Sequence, residues 1–512
     1  MMPDLQIQQA PYMRAPRRWP LVNTLNSRSD VFTKDARLIN AYAEKDPATG
    51  EYQVEKRPGF AKTPVIYGSG VGQGIVTYPY VQNVGSNPYL GVNYLTLYVS
   101  GGHAFSLVTD AAGGQHGPTN LGPVSYSRGT KFQFLGVPNT AGYPSILFGG
   151  DNTIAIGSSA CYAYTNGVLT TLGGGGTSGF PSNTVPGYVY LDGFCYVMDY
   201  SGAIWETVTQ NVISGVGSWS TLDFITAGSD ADIGVQLARQ LIYIVAIKTW
   251  TTQFYYDAGN TVGSSLSPVP GALYNFGCIN SDTFADLDGV LFWATQSKEG
   301  TYRVVMMDKL RATFISTPAV EKQLDLGPGA TWYSTAYQHA GHRWYILTNL
   351  TSNTTMVYDI GEKLWMLWTD YLNNYYPVIG RCAAPDGSEW HQMGATGNVY
   401  QLEADYICPN DYGNIVQVDI YTPNADLGVD RSKCLSQMRF NADQVKGSQL
   451  MIRSSDDDYM TWNSFRTVNF GIERPILSDE GSFYRRAYNF RHYASTPMRI
   501  RSVDLQVDIG TL

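Results

Sequence analysis

Charge is what this chain has least of. Lys, Arg, Asp and Glu make up only 15% of it, against about 25% in an average soluble domain. With Lys, Glu and Arg scarce, long solvent-facing helices are disfavoured. Close cysteine pairs are also missing. Cys161, Cys195, Cys278, Cys382, Cys408 and Cys434 are scattered, which excludes a zinc knuckle or a CxxC redox motif and leaves buried, reduced thiols as the expectation. The strongest apolar run, Leu241–Ile247, is far too short to span a bilayer. The first twenty residues lack an apolar h-region, so no signal peptide and no membrane insertion are expected, and folding in a cytoplasm is. No HExxH, GxSxG or Walker sequence occurs. Gly173–Gly176 is a glycine run without a following Lys, hence a flexible loop and not a phosphate cradle. No catalytic residue, metal ligand or cofactor is expected, and the chain is read as a non-enzyme.

What is present is aromatic and glycine-rich: 13% Phe, Trp and Tyr, with 37 Tyr and 53 Gly. That mixture favours short strands joined by tight turns. Strand-like runs followed by Gly, Asn or Asp turns recur at 94–102, 145–157, 191–205, 239–250, 287–296, 339–350 and 386–400. Their centres lie roughly 45 to 55 residues apart, the length of one four-stranded propeller blade. In the third run Asp192-Gly193 is a turn dipeptide, after which Phe194, Tyr196 and Met198 alternate with Cys195, Val197 and Asp199. The expected fold is mainly β: a β-propeller of about seven blades with an additional antiparallel β domain. An elongated β-sandwich, or several small β domains, would share the same local signals.

The expected division is an N-terminal arm over 1–62, the propeller over 63–410 and a C-terminal β domain over 411–512. Charge is unevenly placed. Residues 1–62 carry 10 Lys and Arg against 7 Asp and Glu, residues 63–430 carry 12 against 27, and residues 431–512 carry 12 against 9. An acidic middle repels polyphosphate, so a nucleic-acid-gripping surface is not expected there.

Two constellations invite a chemical reading. His339 and His342 lie three apart, but Gly341 and the strand context argue against paired ligands on a helix. SDDDYMTW, Ser455–Trp462, is similar to the Asp-box of sialidase-type propellers, SxDxGxTW, through Ser455, Asp457, Thr461 and Trp462. Tyr459 stands where that box has Gly. Asp-boxes are turns in which carboxylates bond backbone N–H groups, so a structural hairpin is expected. Asp456, Asp457 and Asp458 also suit a divalent cation, although EF-loop spacing is absent.

Pieces of the chain, in order, resemble one family. The N-terminal element is LINAYAEK…KRPGF, with Asn40, Tyr42, Ala43, Glu44, Arg57, Pro58 and Gly59. LDGFCYVMD (191–199) and TQFYYDAGN (252–260) follow. ISTPAVEKQL brings Ser316, Thr317 and Glu321. GHRWYILT…VYDIGEKLW brings Gly341, His342, Tyr345, Tyr358, Asp359 and Trp365. Ser455, Asp457 and Trp462 precede the Arg-rich FYRRAYNFRHYASTPMRIR (483–501). The set resembles the tail hub proteins of short-tailed phages, the packaged DNA stabilisation family, and more loosely the nozzle proteins of related viruses. Gln253 and Phe254 depart from the family's usual Glu-containing strand. The resemblance implies a virion tail protein assembled in the host cytoplasm. It implies a homohexameric ring below the portal and head-to-tail adaptor ring, with tail fibres or spikes and a distal needle or plug docked around it. DNA would pass through the lumen without specific binding. A sialidase-like glycan-binding or glycan-hydrolysing propeller on a phage tail is the alternative. A trimeric receptor-binding fibre, which would carry long β-helical repeats, and a WD-type propeller, which would carry repeated Trp-Asp ends, fit less well.

Overall fold

The computed structural model describes residues 17–26, 34, 36–47, 50–80, 92–125, 128–137, 145–151, 161–172, 179–208, 219–228, 231–404 and 406–509. The glycine run at 173–176 lies outside them. Chain contacts divide the molecule into two units. One comprises Met1–Thr24, Thr33–Arg57 and Gln417–Leu512, the other Leu25–Phe32 and Pro58–Val416.

The second unit is built from antiparallel meanders in chain order. Five free-standing four-stranded sheets span 72–123, 128–172, 184–226, 234–274 and 285–314. A four-stranded meander over 332–367 comes sixth in the chain. A last sheet begins with Val378–Ala383, Glu389–Met393 and Val399–Glu403, and the two-residue strand Gly59–Phe60 pairs with its third strand. With that last sheet, six blades stand as separate sheets, where the spacing predicts about seven. Every run picked out by spacing contains the second strand of its meander, from Asn93–Ser100 to Glu389–Met393.

The reason lies in where the core sits. It fills the seams between sheets. Cys195 and Val197 face Leu147 and Ala163 of the second sheet. Tyr196 and Met198, on the opposite face of the same strand, meet Leu237 and Ile244 of the fourth. A second strand is flanked at both edges and covered on both faces, so it carries the densest apolar signal. Ile75 and Tyr98 of the first sheet pack against Cys382 and Trp390 of the last. The circle is closed, and the unit is a β-propeller.

Turns follow the chemistry of their residues. Asp192 and Gly193 both take positive φ, 49° and 95°, as a type I′ hairpin requires. Leu241 does so as well, at 55°, and with Ile242 it is exposed. The apolar run Leu241–Ile247 is thus an exposed turn followed by the strand Tyr243–Lys248. All six cysteines are free. Four are buried, but Cys408 is only half-buried and Cys434 is exposed, which corrects the expectation of uniformly buried thiols.

The first unit has two antiparallel sheets. One orders Ala41–Lys45, Tyr52–Lys56, Arg499–Ile509, Lys433–Ala442 and Ile476–Ser478. The other joins Arg37–Ile39, Val418–Tyr421, Ala487–His492, Gln449–Ser455 and Arg466–Asn469. Phe440 of the first meets Phe490 of the second edge-on at 5.6 Å. The strands at 37–56 are therefore not a separate arm. Val54 pairs with Ile500, so the N-terminal strands are completed by the C-terminal ones. The propeller starts at Pro58 and runs to Val416, past the expected edge at 410.

This redraws the charge map. The propeller unit carries 14 Lys and Arg against 25 Asp and Glu, net −11, and the other unit is net +2.

Candidate functional site

The motif residues make bonds and close contacts within the fold. Asn40 is fully buried with φ 57°, bending the chain between two strands. Its Nδ2 donates to the Gln417 carbonyl at 2.8 Å, and its Oδ1 accepts from the buried Arg57 Nε at 3.1 Å. Tyr42 donates to Glu55 at 2.9 Å, Ala43 is buried against Val54, and exposed Glu44 accepts from Gln53. Pro58 leads into Gly59, where a Cβ would stand 2.3 Å from the Cys408 carbonyl and 2.4 Å from that of Asn410. Only glycine permits that approach. Phe60 behind it stacks on Tyr412 at 5.5 Å.

Thr317 occupies the N-cap of the helix Pro318–Leu324 without a side-chain capping bond, while Ser316 Oγ donates to Glu321 at 3.2 Å. Gly341 (φ 86°) makes the hairpin that pairs His342 with His339, and the next strand sets Asp359 opposite Trp344. Asp359 has no exposed surface and accepts four bonds. They come from His342 Nδ1 at 2.6 Å, Trp344 Nε1 at 3.0 Å, and the backbone N–H groups of Gly361 and Glu362 at 2.9 and 3.1 Å. Tyr345 donates to the Thr283 carbonyl, and burial pushes its phenol well above the usual range. Trp365 packs on Tyr358 and donates to the Ile315 carbonyl. A carboxylate with four donors already on it holds a corner of the sheet together.

The Asp-box-like turn is similarly occupied. Asp457 accepts from Ser455 Oγ, Thr461 N–H and Thr461 Oγ1 at 2.8, 2.9 and 2.6 Å, and these bonds bring its carboxyl down to about 2. Asp458 and Tyr459 both take positive φ, so the turn closes although Tyr459 replaces Gly. Asp456 is held bidentately by Arg486 at 2.6 and 2.8 Å, and Asp458 by Arg485 and Asn424. Trp462 lies edge-on to Tyr421 under Arg453. The turn's acids are neutralised by arginines and local donors. His391 and His492 are buried and burial brings both down to about 3. Among the described residues, no group of three His, Cys, Asp or Glu is placed to hold a metal.

Residues that no sequence motif marks occupy the propeller axis, where the first strand of each meander lies innermost. Lys131 of the second sheet reaches across to donate to the Ser334 carbonyl of the 332–367 meander at 2.6 Å. Gln133 and Gln236, from the second and fourth sheets, exchange amide bonds at 2.9 and 2.8 Å. Arg381 donates to the Ala336 carbonyl at 2.9 Å and stands 3.5 Å from Glu389. Lys131, Gln133 and Arg381 border a cavity of about 270 Å³. Burial lowers the Lys131 ammonium to about 8, Asp282 opposing and Arg381 adding to the shift. A lone Lys in RGTKFQF gives no sequence signal, because its partner is a backbone carbonyl 203 residues away.

Residues 149–383, inside this propeller, match the family model for phage stabilisation proteins, described as bacteriophage P22 Gp10, beta-propeller. No curated protein matches. Among solved structures, the computationally designed Ika8 protein is similar at 12% identity, covering 66% of this chain and 99% of its own, with a TM-score of 0.36. The WD40 propeller domain of Doa1 (10%, covering 67% and 96%, TM-score 0.34) and YCF48 from Cyanidioschyzon merolae (12%, 66% and 97%, 0.34) are similar at the same level. Likenesses this distant decide nothing about this chain. The matched stretch of the propeller is thus similar to the phage stabilisation family of bacteriophage P22 Gp10, which supports a phage structural protein.

Proposed function

We propose that the protein is a non-enzymatic tail ring component, a hub or nozzle below the portal and adaptor, that retains packaged DNA and conducts it during ejection. The family match carries the reading, and the closed axis gives it a geometry. B-DNA has a major groove alone about 12 Å wide. An axis crossed by the Lys131 and Gln133–Gln236 bonds admits no duplex. A conduit made of this chain therefore runs between copies, six in a closed ring with heterologous interfaces. The net −11 of each propeller unit favours a passage where phosphate slides and does not stick. Counting the 332–367 meander as a blade gives seven blades. The near-neutral β unit is the candidate dock for the adaptor, fibres or spikes, and needle or plug. The side chains best suited to chemistry, Asp359, His342 and Asp457, are consumed in structural bonds, which supports a non-catalytic role.

Electron microscopy of virions carrying this chain tests the proposal. The expected result is a six-fold tail ring with DNA density on the ring axis and each propeller centre filled by protein. Virions lacking the chain are expected to lose packaged DNA. A solitary copy in the tail, or DNA threading a single propeller, would sink the proposal.

A further inference from the structure

A cleft of about 600 Å³ opens between the fourth and fifth sheets of the propeller, away from the axis. Turns joining second to third strands line it, at 249–251 and 297–301, together with the interblade connection at 275–276. Its apolar part is aromatic. Trp250 and Phe314 are 37% and 43% exposed, and Phe276 lies edge-on to Phe314 at 5.5 Å. The Trp250 turn is pinned from beneath, where buried Asp232 accepts from the Trp250 N–H and from Thr251 Oγ1, both at 2.9 Å. A large indole is thus held toward solvent on a fixed backbone, which leaves its hydrophobic area for a ligand.

The polar part points to the ligand's class. Asn275 and Glu299 are exposed in the cleft, and among the described residues neither side chain is hydrogen-bonded. Arg303 lies over the Phe314 ring at 5.1 Å with its Nε 3.8 Å from Glu321, so its charge is already offset. A purely apolar guest would strip water from Asn275 and Glu299 without replacing it. Lys298 also lines the cleft but is already partnered, and an anionic guest would face Glu299 in a unit of net −11. A ring with one C–H face and a rim of hydroxyls satisfies both halves of the cleft.

We infer that this cleft is a saccharide subsite for a neutral pyranose. The C–H face of the sugar lies on Trp250, its hydroxyls donate to the Glu299 carboxylate, and the Asn275 amide both donates and accepts. The cleft has the volume of a small-molecule site, and binding there requires no ring of copies.

Saturation-transfer NMR on the full chain tests this, using methyl glycosides of glucose, galactose, mannose, rhamnose and N-acetylglucosamine, with glucuronic acid as the acidic arm. At least one neutral glycoside is expected to bind, more tightly than glucuronic acid. Trp250→Ala should weaken it by about tenfold, and Asn275→Ala and Glu299→Gln by smaller factors. Trp250→Phe should keep most of the affinity, and all four variants should retain the parent's circular dichroism. Silence from every neutral glycoside overturns the inference, as does binding undiminished in Trp250→Ala. Loss of self-association in Trp250→Ala without sugar binding would make the cleft a protein-docking surface and overturn it equally.

Discussion

Asp359 offers the sharpest test of the view that motif residues here serve the fold. Asp359→Ala removes one acceptor group and leaves four donors facing a void: His342 Nδ1, Trp344 Nε1, Gly361 N–H and Glu362 N–H. Each orphaned buried donor costs about 1–3 kcal/mol, reduced where side chains relax or water enters. With two or more of these donors left unsatisfied, the expected loss is about 3–5 kcal/mol. Asp359→Asn keeps the shape and one acceptor oxygen but turns an NH2 group toward donors. It satisfies either the ring donors or the backbone pair, so an intermediate loss of about 2 kcal/mol is expected. Urea unfolding followed by tryptophan fluorescence reads both, since Trp344 and Trp365 flank this corner. A loss below about 1 kcal/mol for Asp359→Ala would refute the reasoning, because a merely peripheral hydrogen bond contributes that much.

Gly59→Val should open the last propeller sheet, since its Cβ would stand 2.3 Å from a backbone carbonyl that has no room to yield; limited proteolysis near residues 399–411 would reveal it, and unchanged resistance would count against a closing role. Mild acid should destabilise the protein through its buried histidines. His391 and His492 have folded values lowered to about 3, below an unfolded value near 6.5, so their neutral burial contributes fully above pH 6.5 and is lost as pH falls toward 3. Between pH 6.5 and 5 that amounts to about 2 kcal/mol for each histidine, measurable as a falling urea midpoint, and a flat profile over that range would contradict it. Chelators and added Ca²⁺ should leave thermal stability unchanged, because arginines and local donors already hold Asp456, Asp457 and Asp458; a calcium-dependent rise in Tm would revive the cation reading.

Local pattern revealed the propeller because its second strands are enclosed on every side, and enclosure writes itself into a short window as an unbroken apolar alternation. Tyr196 and Cys195 belong to different seams, yet both show in one run of six residues. What stayed hidden depends on distant pairing. The strand Tyr52–Lys56 looks like part of a loose arm until Arg499–Ile509 is laid beside it. Gly59 and Phe60 form a strand too short to carry any period. The axis was illegible for a related reason: Lys131, Gln133 and Gln236 find partners around a circle, and no linear spacing encodes opposition across a centre. Asn40, Arg57, Asp359 and Asp457 were marked by motif, but only their bonds identify them as supports.

The two-residue strand Gly59–Phe60 also sets a clock on biogenesis. Its partners Leu402, Glu403 and Asp411 are synthesised some 340 residues later, which at about 5–20 residues per second is roughly 20–70 s of translation. Throughout that interval Phe60 has no partner strand, and the first and last sheets have no seam to share. The nascent propeller is an open arc with an exposed edge at each end. In a host making many copies at once, neighbouring arcs could trade closing strands. Chaperone occupancy on ribosomes paused before residue 399, compared with those paused after 411, would time the moment the circle shuts.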